Sequence, residues 1–216
     1  MEILYYILIS FLWWSFIAAF AISAGYHRYF SHRSFDARDT AWYEWSVLAL
    51  GSLAGGAPVL TWVGTHRMHH AYSDSYEDPH SPTYVGFWKV LTSTWKVKNI
   101  QRKFVRDLLK NHRVVFFYKN FLQIRITTFV FGFLLLPFGY FLALIVAPVI
   151  YAYIGYGLIN ALCHRYNEPR NSIAANIFSA GEGYHKNHHH KPYDWKLGKK
   201  WYHFDTGALI IKLVKC

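Results

Sequence analysis

Residues 3–24 contain no charged side chain. At about 1.5 Å rise per residue they reach roughly 33 Å, enough to cross the hydrocarbon of a bilayer, so the pattern predicts a transmembrane helix that delivers His27 to the membrane surface. Glu2 precedes the run and Arg28 and Arg33 follow it, which lacks the basic leading flank of a cleaved leader and places the N-terminus outside. A second apolar stretch, residues 45–63, is interrupted by Gly51, Gly55, Gly56 and Pro58. A crossing there would put the histidines before and after it in different compartments, so a re-entrant or interfacial segment is expected, its broken backbone covered by protein. Residues 126–136 and 141–162 are apolar and separated by Pro137, Phe138, Gly139 and Tyr140, the pattern of a helical hairpin through the membrane. Its first arm is short unless it extends back past Arg125, whose head can snorkel to the interface.

The expected fold is therefore all-α. It is a small transmembrane bundle of about three spans plus the re-entrant or interfacial segment, with a polar tail, residues 165–216, capping it from the cytosol. A chain of 216 residues is read as one module over 1–216. The mean hydropathy of only +0.08, in a chain that is 53% hydrophobic, says that the apolar residues are concentrated in segments.

Charge sharpens the topology. Nine Lys and Arg residues fall between Lys89 and Lys119 against one acid, Asp107, and a basic loop of this kind belongs on the cytoplasmic side, where it either meets lipid headgroups or recognises an acidic partner: the phosphates of coenzyme A, or the surface of an acyl carrier protein or electron donor. The net charge of +11 is explained by that bias, with no nucleic-acid partner. Two cysteines, Cys163 and Cys216, supply neither a disulfide framework nor a four-thiolate zinc site.

Most of the 13 histidines fall in short clusters. His66, His69 and His70, and likewise His185, His188 and His189, stand at i, i+3 and i+4, on one face of a helix. Adjacent imidazoles about 100° apart on that face can each lean toward a different metal, which suits a dinuclear centre. His27 and His32, five apart, would splay by roughly 140° on an ideal α-helix, so both reach one centre only if the helix ends or turns near Ser31. His164 follows the last apolar arm. Imidazole accepts iron, copper, nickel or zinc; two redox-active irons, acting with O2, fit the oxidation of an apolar chain, which redox-inert zinc does not. Ligating imidazoles need an acceptor on their second nitrogen, and Asp74, Glu77, Asp78, Glu168, Glu182 and His80 lie near the clusters. Two or three of the acids are expected to serve. His112, His190 and His203 are expected to be ordinary, Cys163 a packing residue, and Trp13 and Trp14 helix-packing residues. On the His27 face, Phe16, Ala19, Phe20 and Ser23 are expected to limit the depth of a substrate tunnel.

The ordered segments HRYFSH (27–32), HRMHH (66–70), NALCH (160–164) and GEGYHKNHH (181–189) resemble the histidine boxes of the membrane-bound fatty acyl desaturases, the stearoyl-CoA and bacterial delta-9 type. The resemblance runs from about Gly25 to Pro192, with Trp62 and Asp78-Pro79-His80 as further matches. It implies nine metal ligands: His27, His32, His66, His70 and His188 at one iron, and His69, His164, His185 and His189 at the other, with Asn160 approaching through water. It implies O2-dependent desaturation of a fatty acyl substrate carried on coenzyme A, acyl carrier protein or lipid. The chain differs from the family pattern in having one span before the first box and in His190. With no haem domain fused, the electrons are expected from a separate ferredoxin, rubredoxin or cytochrome b5 type of carrier. Two other readings stay open: a related hydroxylase or oxygenase acting on a lipid or alkane, and a non-catalytic membrane metal-binding protein.

Overall fold

The computed structural model describes residues 1–54, 56–96 and 99–216. Gly55, expected among the residues that break the second apolar stretch, and Lys98 of the basic loop lie outside the described residues. Among the described residues there is no β-strand; the chain is helical with short turns.

The uncharged N-terminal run forms α1, Glu2–Ser31, which is α-helical to Ile17 and π-helical from Ala18 to Ser31. Among the described residues it is one of two helices long and apolar enough to cross a membrane. Its outward face at Ile3, Leu4, Ile7, Leu8 and Leu12 is exposed, as a lipid-facing surface requires, while almost every residue from Ile17 onward is buried. The second such helix, α7 (Phe138–Leu162), is paired with the shorter α6 (Phe121–Leu135). The first arm of this hairpin does reach back past Arg125. Its turn is tighter than the sequence implied: Leu136 is extended and Pro137 caps α7, so Phe138, Gly139 and Tyr140 already belong to the second arm. Pro at a helix start sacrifices no intrahelical bond.

The stretch expected to be re-entrant or interfacial forms a bent pair, α2 (Thr40–Ala54) and α3 (Val59–Tyr72), meeting at 86°, the shape of a re-entrant loop or of a broken span. The break falls between Ala54 and Val59, and Gly51 does not contribute to it. Gly51 lies inside α2, where a Cβ would sit 2.5 Å from the ring of Tyr26; it is a contact point that lets α2 approach α1. Short helices α4 (Phe87–Leu91) and α5 (His112–Lys119) follow. Asn111 caps α5 by accepting from the amides of Arg113 and Val114 at 3.0 and 3.3 Å. A Cβ on Gly157 of α7 would lie 1.9 Å from the carbonyl oxygen of Leu91, so glycine lets α4 rest directly on α7.

The tail forms α8 (Ile173–Ser179), α9 (His185–His190) and α10 (Thr206–Val214). Asp205 organises it. One carboxylate oxygen accepts from the amide of Ala208 at 2.9 Å, starting α10, and the other accepts from Leu197 and Gly198 at 2.9 and 3.1 Å. This folds the tail against α1 and sets α9 over the ends of α1, α3 and α7.

Candidate metal centre

Nine imidazoles from four parts of the chain converge there. In one group, His27, His32, His66, His70 and His188 offer ligand atoms that all lie within 4.8 Å of one another; His69, His164, His185 and His189 form the other. The two groups coincide with the partition implied by the family resemblance. His27 and His32 meet through winding as well as helix termination. The amide of His32 donates to the carbonyl of His27 at 3.2 Å, an i to i+5 bond that brings residues five apart into near register, as a π-helix does.

Arg67, between two of these histidines, fixes how α3 meets α1. Its guanidinium donates to the carbonyls of Phe30 (2.6 Å) and Ser31 (2.9 Å) at the end of α1, to the carbonyl of Phe104 (2.9 Å), and in a fork to Asp107 (2.7 and 3.0 Å). Burial alone would raise the Asp107 carboxyl, yet Arg67 and Arg33 hold it down at about 2.

Three carboxylates orient the rings. Asp78 accepts from Nδ1 of His69 at 3.0 Å and Asp74 from Nδ1 of His164 at 3.1 Å. Glu182 lies 2.5 Å from Nδ1 of His27. Of the acids considered from sequence, Glu77 instead meets Ser75 and Glu168 meets Arg170, both away from the imidazoles. His80 stacks on the His69 ring at 4.3 Å, and its amide donates to Asp78 at 3.0 Å. His112 and His190 are exposed and His203 stacks on Tyr184, all outside both groups. Cys163 is buried.

A ring whose Nδ1 proton faces a carboxylate presents an unprotonated Nε2 on its other side. His69 Nε2 stands 3.0 Å from His164 Nε2, so two lone pairs face each other in a buried site. A cation between them removes the conflict. Burial first, and then the neighbouring imidazoles, push His32, His185, His188 and His189 well below the usual imidazole range, which keeps the donors neutral for a metal. The spacing carries information as well. With metal–nitrogen bonds of about 2.1 Å, ligands at right angles stand about 3.0 Å apart and tetrahedral ones about 3.4 Å apart. The close Nε2 pairs measure 2.7 to 3.3 Å. The donor set, nine imidazoles in two groups, therefore fits two cations and exceeds the four ligands that close a structural zinc.

Beside the centre lies a cavity of about 480 Å³, within the range of small-ligand sites. His27, His66, His69 and His185 stand in its lining, as does Asn160. Besides His27, the residues of α1 in that lining are Trp14, Ala18 and Ile22, which corrects the expectation of Phe16, Ala19, Phe20 and Ser23. Ile22 precedes His27 by five residues, and the π-winding advances the face by one position relative to an α-helix. Phe16 instead stacks between Trp13 and Phe20, Phe20 packs against Tyr43, and Ser23 donates to Glu182. Trp13 is the helix-packing residue expected, its indole donating to the carbonyl of Leu144 at 3.1 Å; Trp14 packs as well, its indole donating to the carbonyl of Phe178 at 3.2 Å, and also lines the cavity.

Sequence reasoning missed Arg28, whose partners lie more than 150 positions away. It is 1% exposed and donates to Glu182 at 3.1 Å, to Asp205 at 2.9 Å and to the carbonyl of Trp195 at 2.9 Å. Its one local signal was a charged residue beside His27 at the end of an apolar run.

Residues 6–212 match the family model described as fatty acid desaturase. The chain is 32% identical over 232 residues to an acyl-CoA C20 Delta5-desaturase of Anemone leveillei, covering 95% of this chain and 72% of that protein. It is 28% identical to an sn-1 stearoyl-lipid 9-desaturase of Synechocystis, covering 95% and 67%, and 29% identical to acyl-CoA desaturase 1 of Saccharomyces cerevisiae, covering 91% and 42%. This chain belongs to the fatty acid desaturase family. It spans from under half to about three quarters of the length of these relatives.

Proposed function

We propose that residues 1–216 work as one module, a fatty acyl desaturase that holds two iron ions in the nine-histidine centre and uses O2 to insert a double bond, of delta-9 type, into a saturated acyl chain. The observation that carries this is the juxtaposition of the two imidazole groups with an apolar cavity. His27, His32, His66, His70 and His188 would hold one ion and His69, His164, His185 and His189 the other, with Asn160 approaching through water. The bound irons would supply the oxidising power that a methylene C–H bond demands. The protein's own residues hold the imidazoles neutral and aimed through Asp74, Asp78 and Glu182, exclude water, and align the chain in the cavity. Alignment determines which carbons react.

The delta-9 assignment is supported by the box pattern and by relatives named as 9-desaturases; a relative named as a Delta5-desaturase defines the competing outcome. Purified protein supplied with iron, reductant, O2 and stearoyl substrate is expected to yield a product lacking two hydrogens, with the double bond at carbon 9. A product that gains oxygen would make the protein a hydroxylase, and unchanged substrate with the iron loaded and reduced would refute the proposal.

The lining residues of α1 predict chain-length selection. Trp14 stands thirteen residues before His27, on the order of 15–20 Å along the helix. One methylene in an apolar pocket changes kcat/KM by roughly 10- to 200-fold, so Trp14→Ala is expected to shift preference toward longer chains by at least one such step. Phe16→Ala, outside the lining, is expected to leave it unchanged. Competition assays with mixed chain lengths measure both; a shift from Phe16→Ala alone would reverse the assignment.

The centre is placed on the cytoplasmic side and the N-terminus outside, supported by the basic loop that packs beside His32 and His70. Cys216 is exposed and Cys163 buried. A membrane-impermeant maleimide is therefore expected to label Cys216 in inverted vesicles and not in intact cells. Labelling from outside would invert the topology.

A further inference from the structure

The sequence pattern assigns residues 165–216 to the cytosol, yet one helix of that tail, α8, carries no charged residue and turns its apolar side chains outward. Ile173 and Ile177, four apart on one face, are 82% and 61% exposed, and Ala174 beside them is exposed too. The polar side chains of α8 point inward and are paired. Asn176 donates to the carbonyl of Phe204 at 3.0 Å and accepts from the amide of Gly183 at 3.2 Å. The Ser179 hydroxyl donates to the carbonyl of Ala175 at 2.6 Å. A helix that faces water carries its polar residues on the outer face; α8 has the opposite arrangement.

Its depth in the membrane accounts for this. At the ends of α1 and α7 far from the metal centre, the hydroxyls of Tyr5 and Tyr140 lie 3.0 Å apart, and Tyr6 stands edge-on to both rings. Tyrosines collect at the boundary between lipid and water, so this cluster marks the outer boundary. α8 meets the same two helices further in. The Phe178 ring is edge-on to Phe11, with 6.1 Å between centroids. The Phe178 carbonyl accepts from the indole of Trp14 at 3.2 Å and lies 3.1 Å from where a Cβ on Gly155 would stand. Counted along the helices from Tyr5 and Tyr140, Phe11, Trp14 and Gly155 stand about 9, 14 and 23 Å inside that boundary, within a hydrocarbon core about 30 Å thick. Tilting the helices only reduces these depths. Next to the contact points, Leu12 and Ile154 are 59% and 40% exposed. The isoleucines of α8 thus continue a surface of the two spans that already faces lipid.

We propose that α8 is inserted in the leaflet on the metal-centre side, where acyl chains of the bilayer cover Ile173 and Ile177. The residues around it suit a membrane boundary. Phe204, whose carbonyl binds Asn176, is 68% exposed and Trp201 is 95% exposed, and Lys200 beside Trp201 is exposed; aromatic rings next to a lysine fit the headgroup layer. α8 leads through Ala180 and Gly181 to Glu182, which faces Nδ1 of His27. Lipid that holds α8 against α1 and α7 therefore helps hold Glu182 at the centre. This placement rests on the two spans of the reading above and not on the reaction; the proposed sidedness only names the leaflet.

The test uses the full chain in lipid nanodiscs, with Cys216→Ser to leave the buried Cys163 as the sole native thiol. Ile177→Cys, Leu12→Cys and Lys110→Cys are each spin-labelled, and collisions with O2, which concentrates in lipid, are compared with collisions with a water-soluble nickel chelate. The label at residue 177 is expected to match that at residue 12, with high O2 and low nickel accessibility, and the label at residue 110 to show the reverse. Separately, Ile177→Asp is expected to lower the melting temperature in nanodiscs by about 5 °C or more, since a carboxylate is costly in hydrocarbon.

Nickel accessibility at residue 177 equal to that at residue 110 overturns the proposal, as does an Ile177→Asp protein that melts like the unsubstituted one. Low accessibility to both reagents, with label-to-label broadening that vanishes on dilution with unlabelled chain, also overturns it and gives this face to a second copy. If residue 12 is itself open to the nickel chelate, the span reading of α1 fails, a result distinct from failure at residue 177 alone.

Discussion

Cells expressing the His69→Ala variant are expected to contain no more of the unsaturated product than cells lacking the gene, whereas Asp78→Asn is expected to retain activity lowered by roughly 10- to 100-fold. His69 has three roles at once. Its Nε2 lies 3.0 Å from His164 Nε2 and 3.3 Å from His189 Nε2, its Nδ1 meets Asp78, and its ring stacks on His80. Alanine removes one of four donors from its group and leaves Asp78 buried without that partner. Asp78 acts at one remove. One of its oxygens accepts from His69 Nδ1 and the amide of Asp74 (2.9 Å), the other from the amide of His80 (3.0 Å). Asparagine must turn its NH2 toward one of these donors and brings no negative charge to strengthen the His69 ring, so the ligand weakens without being lost. Iron content by plasma mass spectrometry and acyl analysis by gas chromatography measure both effects. Full iron and normal product in His69→Ala would remove this histidine from the centre.

The ring positions were legible because helical periodicity forces i, i+3 and i+4 onto one face, so His66, His69 and His70, and likewise His185, His188 and His189, group from the sequence alone. Asp74 and Asp78 were legible for a similar reason, lying within a short loop of the histidines they orient. The pairing of α6 with α7 followed from their apolar runs and from Pro137, although α6, at 15 residues, is shorter than a span. The winding of α1 was not legible. Nothing in AAFAISAGYHRYFS marks an i to i+5 helix, and an α-helical projection therefore assigned the cavity lining to Phe16 and Phe20 when Trp14, Ala18 and Ile22 supply it. Tertiary ion pairs were equally hidden. Arg28 and Asp205 are separated by 177 positions, and no local pattern joins them.

That buried network gives the largest stability effect expected. Arg28→Met is expected to destabilise the protein by about 3–5 kcal/mol, the usual cost of removing one partner from a buried ion pair. Glu182 and Asp205 are both buried, and each takes a bond from the same guanidinium nitrogen, so methionine strands two carboxylates in an apolar setting. Asp205 also starts α10 and holds the amides of Leu197 and Gly198, while Glu182 faces His27; loosening them frees the tail from α1 and takes α9, with His185, His188 and His189, away from the other imidazoles. Arg28→Lys keeps the charge but lacks the planar fork that reaches two carboxylates and the Trp195 carbonyl together, and is expected to fall between the two. Adding Glu182→Gln to Arg28→Met removes one stranded charge and is expected to recover part of the lost stability, since the penalty arises from the uncompensated carboxylate. Thermal unfolding in detergent, with hydrogen exchange at the tail amides, separates these variants. An Arg28→Met protein that melts like the unsubstituted one, with its tail still protected, would mean that apolar packing against α1 alone holds the cap over the metal centre.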